Sequence, residues 1–316
     1  MNNKRIKRIF LLILLPWFIT TCNQPEKNTI KETPTAGNIK IAVDEAYQLM
    51  IDAEKYTFES LYENAIINPI YKPEVEAFDL FFKDSVRLIV TNRKMTDQEE
   101  QFLHAKKIYP KTTKIAYDAL VFITNNNNKD SVLLQQQIQD IFSGKSTKWN
   151  QINPKSSLNN ITVVFDHNKS CNTRYIQEKF NIKNDFPSNC YSVKSNEEVI
   201  NFVEKNKNAI GIISVNWISD KDDTISHAFL KKIKIMSIGD ETNTDGTGNY
   251  YKPYQGYIAD GTYPFIREVY IINRETFTGL GTGFVNFVAG EKGQRILLKT
   301  GLVPATMPIR LVQIKN

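Results

Sequence analysis

The chain is short of the residues on which much catalytic and metal chemistry depends. Its 316 residues include three histidines (His104, His167 and His227) and three cysteines (Cys22, Cys171 and Cys190). None of their spacings suits zinc, and no metal or cofactor is expected. His167 sits beside Asp166 in a polar stretch and reads as a solvated side chain. No Gly-x-Ser-x-Gly nucleophile elbow occurs. The run Gly279-Leu280-Gly281-Thr282-Gly283 lacks the third glycine and the later acidic residue of a dinucleotide fingerprint, and it lies near the C-terminus. It reads as close packing or a flexible helix start. Lys/Arg patches interleaved with aromatics are also missing, so no nucleic acid partner is expected. Without an activated nucleophile or a metal cluster, an enzyme is not expected.

What is present begins at the N-terminus. Lys4, Arg5, Lys7 and Arg8 precede the apolar run Ile9–Ile19, which is too short to span a bilayer and suits a signal-peptide core. Thr20-Thr21-Cys22 follows and resembles a bacterial lipoprotein cleavage site, with Thr21 where Gly, Ala or Ser is more usual. Lipid attachment at Cys22 is the expectation, with residues 1–21 as signal peptide and 22–37 as a flexible tether. Removing residues 1–21 takes away four basic and no acidic residues, which lowers the formal charge from +6 to +2. The basic balance is therefore largely a targeting feature. After the tether about 280 residues remain, enough for a large core or two domains. Cys171 and Cys190 are an exported pair whose bonding the sequence leaves open.

Strands and helices alternate from residue 38 onward. NIKIAVD (38–44), SVRLIVTNR (85–93), ITVVFD (161–166), NAIGIISVNWI (208–218) and EVYIINR (268–274) read as strands. AIINPIY (65–71) reads as a short strand broken by Pro69. Residues 45–62, 72–84 and 132–144 have helical spacing. Thr96…Glu99 and Ser195…Glu198 are capping boxes. KIAYDALVFITN (114–125) is the longest β-type run of the middle chain and a natural bridge between two halves. This order predicts parallel sheets with crossover helices, in which ligands sit at strand carboxyl ends against helix N-termini. Three such ends stand out: Val43-Asp44-Glu45, Val90-Thr91-Asn92-Arg93, and Phe165 to Thr173.

The C-terminal third carries a family resemblance. YPFIREVYIINR (263–274) and GFVNFVAGEKGQRILLKTGLVPA (283–305), with IFSGKSTKWNQI (141–152) and NAIGIISVNWI, resemble in this order the PstS-like phosphate-binding proteins, the substrate-binding components of phosphate ABC transporters. The resemblance implies an α/β fold of the type II periplasmic-binding-protein kind, with two lobes closing on an anion. Lobe 1 would comprise residues 38–118 and 257–316, and lobe 2 residues 119–256. It implies a periplasmic or cell-surface protein, lipid-anchored to a membrane, that captures phosphate or a related oxyanion and delivers it to ABC permease subunits.

The expected binding loops depart from the family pattern. Where relatives have a Gly/Ser/Thr-rich loop, this chain has Asp44 and Glu45. Of the family's Arg-x-x-x-Ser-Gly-Thr, only Ser170 is kept; Cys171 and Asn172 follow it, and Phe165 and Asp166 precede it without an arginine. The candidate ligand set is therefore Asp44, Glu45, Thr91, Asn92, Arg93, Asp166, Ser170, Cys171, Asn172, Thr173 and Arg174. Arg93 and Arg174 are read as possible replacements for the missing guanidinium. The alternatives are that Ser170 or Asn172 only caps a helix and that Arg174 is solvated. Asp118, in the bridge strand, reads as a hinge or structural group. The same fold with a different ligand, in a sensing or scaffold role, is the second expectation.

Overall fold

The computed structural model describes residues 31–220, 224–240 and 242–308. The expectations for residues 1–21, for Cys22 and for the first part of the tether lie outside the described residues. The chain first forms β1 (Gly37–Asp44), a 3-10 turn (Glu45–Tyr47), α1 (Gln48–Leu61), β2 (Ala65–Lys72), α2 (Glu74–Phe82), β3 (Leu88–Thr91) and α3 (Asp97–His104). The long strand β4 (Lys111–Asn125) carries it into the second half. There follow β5 (Val132–Leu133), α4 (Gln135–Phe142), α5 (Trp149–Ile152), β6 (Thr162–Phe165), α6 (Cys171–Lys179), β7 (Cys190–Ser192), α7 (Asn196–Lys205) and β8 (Ala209–Ser214). Next come α8 (Thr224–Lys232), β9 (Ile233–Ile235), β10 (Ser237–Gly239) and β11 (Tyr250–Tyr251). The chain returns through α9 (Gln255–Ala259) and β12 (Ile266–Asn273), and ends in α10 (Leu280–Ala289), α11 (Glu291–Lys299) and β13 (Val303–Pro304).

The strand order is β2-β1-β3-β12-β4-β8-β6-β7, with β9 and β13 also on β4. Up to Ala119, β4 pairs with β12 and β13; from Leu120 it pairs with β8 and β9. One strand thus belongs to both lobes. The flanks are parallel, as expected, but β12 and β4 run antiparallel to their neighbours. Parallel neighbours need a crossover helix. Strands β4 and β12 are instead the outgoing and returning crossings between lobes, so they must point in opposite directions.

Pro69 does not break its strand. It pairs opposite Ile41 in β2, an edge strand, where its missing N–H can face away from the sheet. The stretch 132–144 is a two-residue strand and a helix starting at Gln135, not one helix. The second half also holds α8, β7 and β9–β11, whose short spans give little periodic signal. Cys171 and Cys190 are both free thiols.

Aromatic packing organises both lobes. Phe58 of α1 meets Tyr62, Phe284 and Phe287 edge-on at 4.9, 5.3 and 5.2 Å. In the second lobe Phe165 stacks on Phe186 at 5.0 Å, with Phe142 5.6 Å away. Each fully buried phenylalanine contributes roughly 1.5–3 kcal/mol. The glycine run near the C-terminus packs closely: a Cβ at Gly283 would lie 1.8 Å from the Pro34 carbonyl oxygen. Likewise Gly211 lets α7 approach β8, since a Cβ there would meet Val203 at 2.7 Å. These packings bring the carboxyl ends of β1, β3 and β6 to one cleft.

Candidate functional site

The cleft is floored by an ion pair between the two crossing strands. Asp118 of β4 and Arg267 of β12 lie directly opposite in the sheet register. Arg267 Nε donates to Asp118 Oδ2 at 2.7 Å, and Ser214 Oγ donates to Asp118 Oδ1 at 2.9 Å. Both charged groups are buried. Burial works against the charge on Arg267, yet the neighbouring Tyr47 and Asp118 hold its pKa above the ordinary guanidinium value. Asp118 occupies only the Nε side. Nη1 and Nη2 of Arg267 are buried with no hydrogen-bond partner, and so is the Tyr47 hydroxyl. The Arg267 guanidinium carbon is 5.7 Å from the Tyr47 ring centre and 5.9 Å from that of Tyr175. Leaving a buried charged donor unpaired costs at least 1–3 kcal/mol, so this cluster is organised for an acceptor.

Above the floor, carboxylates of the first lobe meet helix N-termini of the second. Asp44 ends β1 and caps the 3-10 turn: its Oδ1 accepts from Ala46 N at 2.9 Å and its Oδ2 from Cys171 N at 3.1 Å. Glu45 accepts from the backbone N–H of Asn196 at 3.3 Å and from its side-chain amide. Cys171 and Asn196 are the first residues of α6 and α7. Negative charge is favoured at such ends. Burial, followed by repulsion from Asp166, raises the pKa values of Asp44 to about 7 and Glu45 to about 8.

Ser170 is the N-cap of α6, accepting from Thr173 N at 3.3 Å while donating to Asp166 at 2.6 Å. Asp166 also accepts from the side-chain amides of Asn172 at 3.0 Å and Asn196 at 3.3 Å. Burial is the main reason its pKa is raised. Thr173 Oγ1 donates to the His167 carbonyl at 2.6 Å. The Cys171 thiol is buried, which pushes its pKa well up.

The other two candidate arginines are engaged. Arg174 bonds the Glu74 carboxylate, Asn92 Oδ1 and Glu178. Arg93 makes a two-pronged contact with Glu99 at 2.7 and 2.8 Å, and its guanidinium lies 3.7 Å from the Phe78 ring centre. Thr91 Oγ1 donates to Glu74 at 2.8 Å. Glu74 thus gathers Thr91, Arg93 and Arg174 into one network beside the cleft.

All eleven sequence-level candidates therefore lie at the cleft or on its rim. Residues the sequence reading did not single out are Arg267, Tyr47, Asn196 and Asn216. Asn216 accepts from Met50 N at 3.1 Å and donates to the Ala46 carbonyl, which ties the lobes together. The available signal was an arginine, Arg267, inside the largely apolar YPFIREVYIINR and a single aspartate in KIAYDALVFITN. Opposite charges inside two largely apolar strands point to a cross-strand pair.

The phosphate-binding protein PstS of Staphylococcus saprophyticus is 27% identical over 222 residues, covering 69% of this chain and 65% of that protein. The chain thus spans less than two thirds of that relative's length. The PstS of Staphylococcus aureus strain USA300 is 26% identical over 223 residues, with 69% and 63% covered. Among solved structures, a Clostridium perfringens protein with bound phosphate, described as a candidate substrate-binding protein of a phosphate ABC transporter, superposes with a TM-score of 0.71. It is 21% identical and covers 85% of this chain and 100% of its own. An ABC-type phosphate transport receptor from Vibrio cholerae gives 0.63 at 19% identity, over 86% and 100% of the two chains. At these identities the structures speak for the fold. Residues 28–292, most of the chain, match the PBP superfamily domain, and the protein belongs to that superfamily.

Proposed function

We propose that this protein is an extracytoplasmic solute-binding protein that captures phosphate, or a related oxyanion, by lobe closure and passes it to the permease of an ABC importer. The observation that carries the reading is Arg267, whose outer nitrogens and neighbouring Tyr47 hydroxyl are buried without partners. Two parallel N–H groups match two oxygens of a tetrahedral anion. The N-terminus of α6 supplies further N–H groups. The PstS relatives point to phosphate as the anion. Capture requires only binding and hinge motion, without covalent chemistry.

The lobes of this reading are residues 38–118 with 257–316, and 119–256, in a fold of the type II kind. The ligand set combines Arg267 and Tyr47 with the N–H and hydroxyl groups at Ser170–Thr173. Asp44, Glu45 and Asp166 shape the charge, and Thr91, Asn92, Arg93 and Arg174 hold the rim. Cys22 is the proposed lipid attachment, which anchors the protein at a membrane. Its support is the sequence pattern of residues 4–22.

One observation favours a second reading, the same fold with another ligand in a sensing role. Three carboxylates, the buried Asp44 and Asp166 and the half-buried Glu45, share the cleft and oppose a dianion. Calorimetric titration with phosphate, sulfate, arsenate and molybdate separates the two. Saturable binding of phosphate supports the transport reading. Folded protein that takes none of these anions would overturn it in favour of the second.

A further inference from the structure

Asp44 does two things at once. It closes the first lobe's own 3-10 turn through Ala46 N, and it reaches across the cleft to the first N–H of α6. That N–H lies beside Ser170, whose hydroxyl is held by Asp166, and near the unpartnered donors of Arg267 and Tyr47. Helix α6 has nine residues, enough for its N-terminus to act on a charge. An oxyanion on Arg267 that also reached α6 would meet the Asp44 carboxylate already there.

We propose that Asp44 is an internal competitor for the oxyanion: its carboxylate and the ligand contend for the N-terminus of α6, so Asp44 sets both affinity and its dependence on pH. This rests on the reading of the cleft as an oxyanion site. Asp44 faces Glu45 and Tyr47 of the 3-10 turn, Glu74 of α2, Asp166 before α6 and Cys171 of α6. Arg267 of β12 acts on Tyr47, Asp166 and Cys171 from below. An entering anion adds negative charge to this group and favours protonation of the displaced carboxylate. Burial, with Asp166 and Glu74, puts the Asp44 pKa at about 7. At pH 6 the proton is already there. At pH 8 acquiring it costs about a factor of ten in affinity.

The test is calorimetric titration of inorganic phosphate into the full-length chain in detergent, at pH 6 and pH 8, for the wild type and Asp44→Asn. Each titration is repeated in two buffers of different ionisation enthalpy, which counts the protons taken up. The proton that phosphate itself exchanges is common to both proteins and cancels in the difference. The expected result is that Asp44→Asn binds about tenfold more tightly at pH 8, nearly equally at pH 6, and takes up fewer protons. Asp44→Ser, which keeps a hydroxyl to cap Ala46, gives the same comparison if the asparagine variant is not folded by circular dichroism. Weaker binding by the folded variants, or unchanged proton uptake, would overturn the proposal while leaving the phosphate reading intact. Absence of phosphate binding by every folded protein at both pH values would overturn the phosphate reading and this inference with it.

Discussion

Two arginine sites, one beside the cleft and one on its floor, differ in what they leave unused. Beside α2, Arg174 and Arg93 converge on Glu74, and Glu99, Glu178 and Asn92 take up further donors. On the floor, Arg267 meets one carboxylate through one nitrogen and keeps two nitrogens unpaired. All three are cationic, yet of these arginines only Arg267 keeps buried nitrogens without a partner. Recognition depends on the donors left after the protein's own acceptors are counted, not on the number of arginines near a cleft.

The largest effect expected from breaking this contrast is at Arg267. Arg267→Ala strands the buried Asp118 charge and should cost about 3–5 kcal/mol in urea unfolding, besides removing anion binding. A loss below 1 kcal/mol would mean that the floor pair is not the buried, mutually dependent pair described here. A carboxyl with no partner sharpens the point from the opposite direction. Glu54 is fully buried, neither of its oxygens has a partner, and burial raises its pKa from 4.5 to about 9. A raised folded-state pKa means that its contribution to stability is fully present below pH 4.5 and is lost as pH rises toward 9. Glu54→Gln should therefore remove about 5 kcal/mol of the fall in stability between pH 5 and pH 9. Identical pH profiles for variant and wild type would contradict this.

On the rim, Arg174→Ala should cost about 2 kcal/mol, because Glu74 keeps Thr91 and Arg93 as partners. Arg93→Ala should cost about 1 kcal/mol or less, since its pairing with Glu99 lies near solvent. Thermal unfolding of both variants checks the ranking Arg267, Arg174, Arg93. If Arg93→Ala proved as costly as Arg267→Ala, the comparison would fail.

Much of the fold was legible because its signals are local. The capping box at Thr96 is formed, and Ser195 caps its helix through Glu198 N, although the Glu198 carboxylate accepts from Lys194 N and leaves that box half made. The three strand ends singled out at Asp44, Thr91 and Phe165 do converge. Less legible was whatever depends on partners far along the chain. Arg174 and Arg93 looked available because Glu74, 100 residues from Arg174, cannot be placed beside it from sequence. Arg267 was passed over because its 149-residue separation from Asp118 conceals their register. Pro69 looked like a strand breaker because sequence does not reveal which strand is an edge. Short elements such as β9 and β11 exist through tertiary pairing rather than propensity.

The central claim is that Arg267, and not Arg174 or Arg93, holds the anion. The most direct measurement is the phosphate dissociation constant of Arg267→Lys set beside that of Arg174→Lys. Lysine can keep a charge opposite Asp118 but lacks the paired N–H fork. Binding about 100-fold weaker in Arg267→Lys, with Arg174→Lys within about threefold of wild type, is the result expected from losing charge-assisted bonds of about 1.5–3 kcal/mol each. Wild-type affinity in a folded Arg267→Lys, or a comparable loss in Arg174→Lys, would contradict the account.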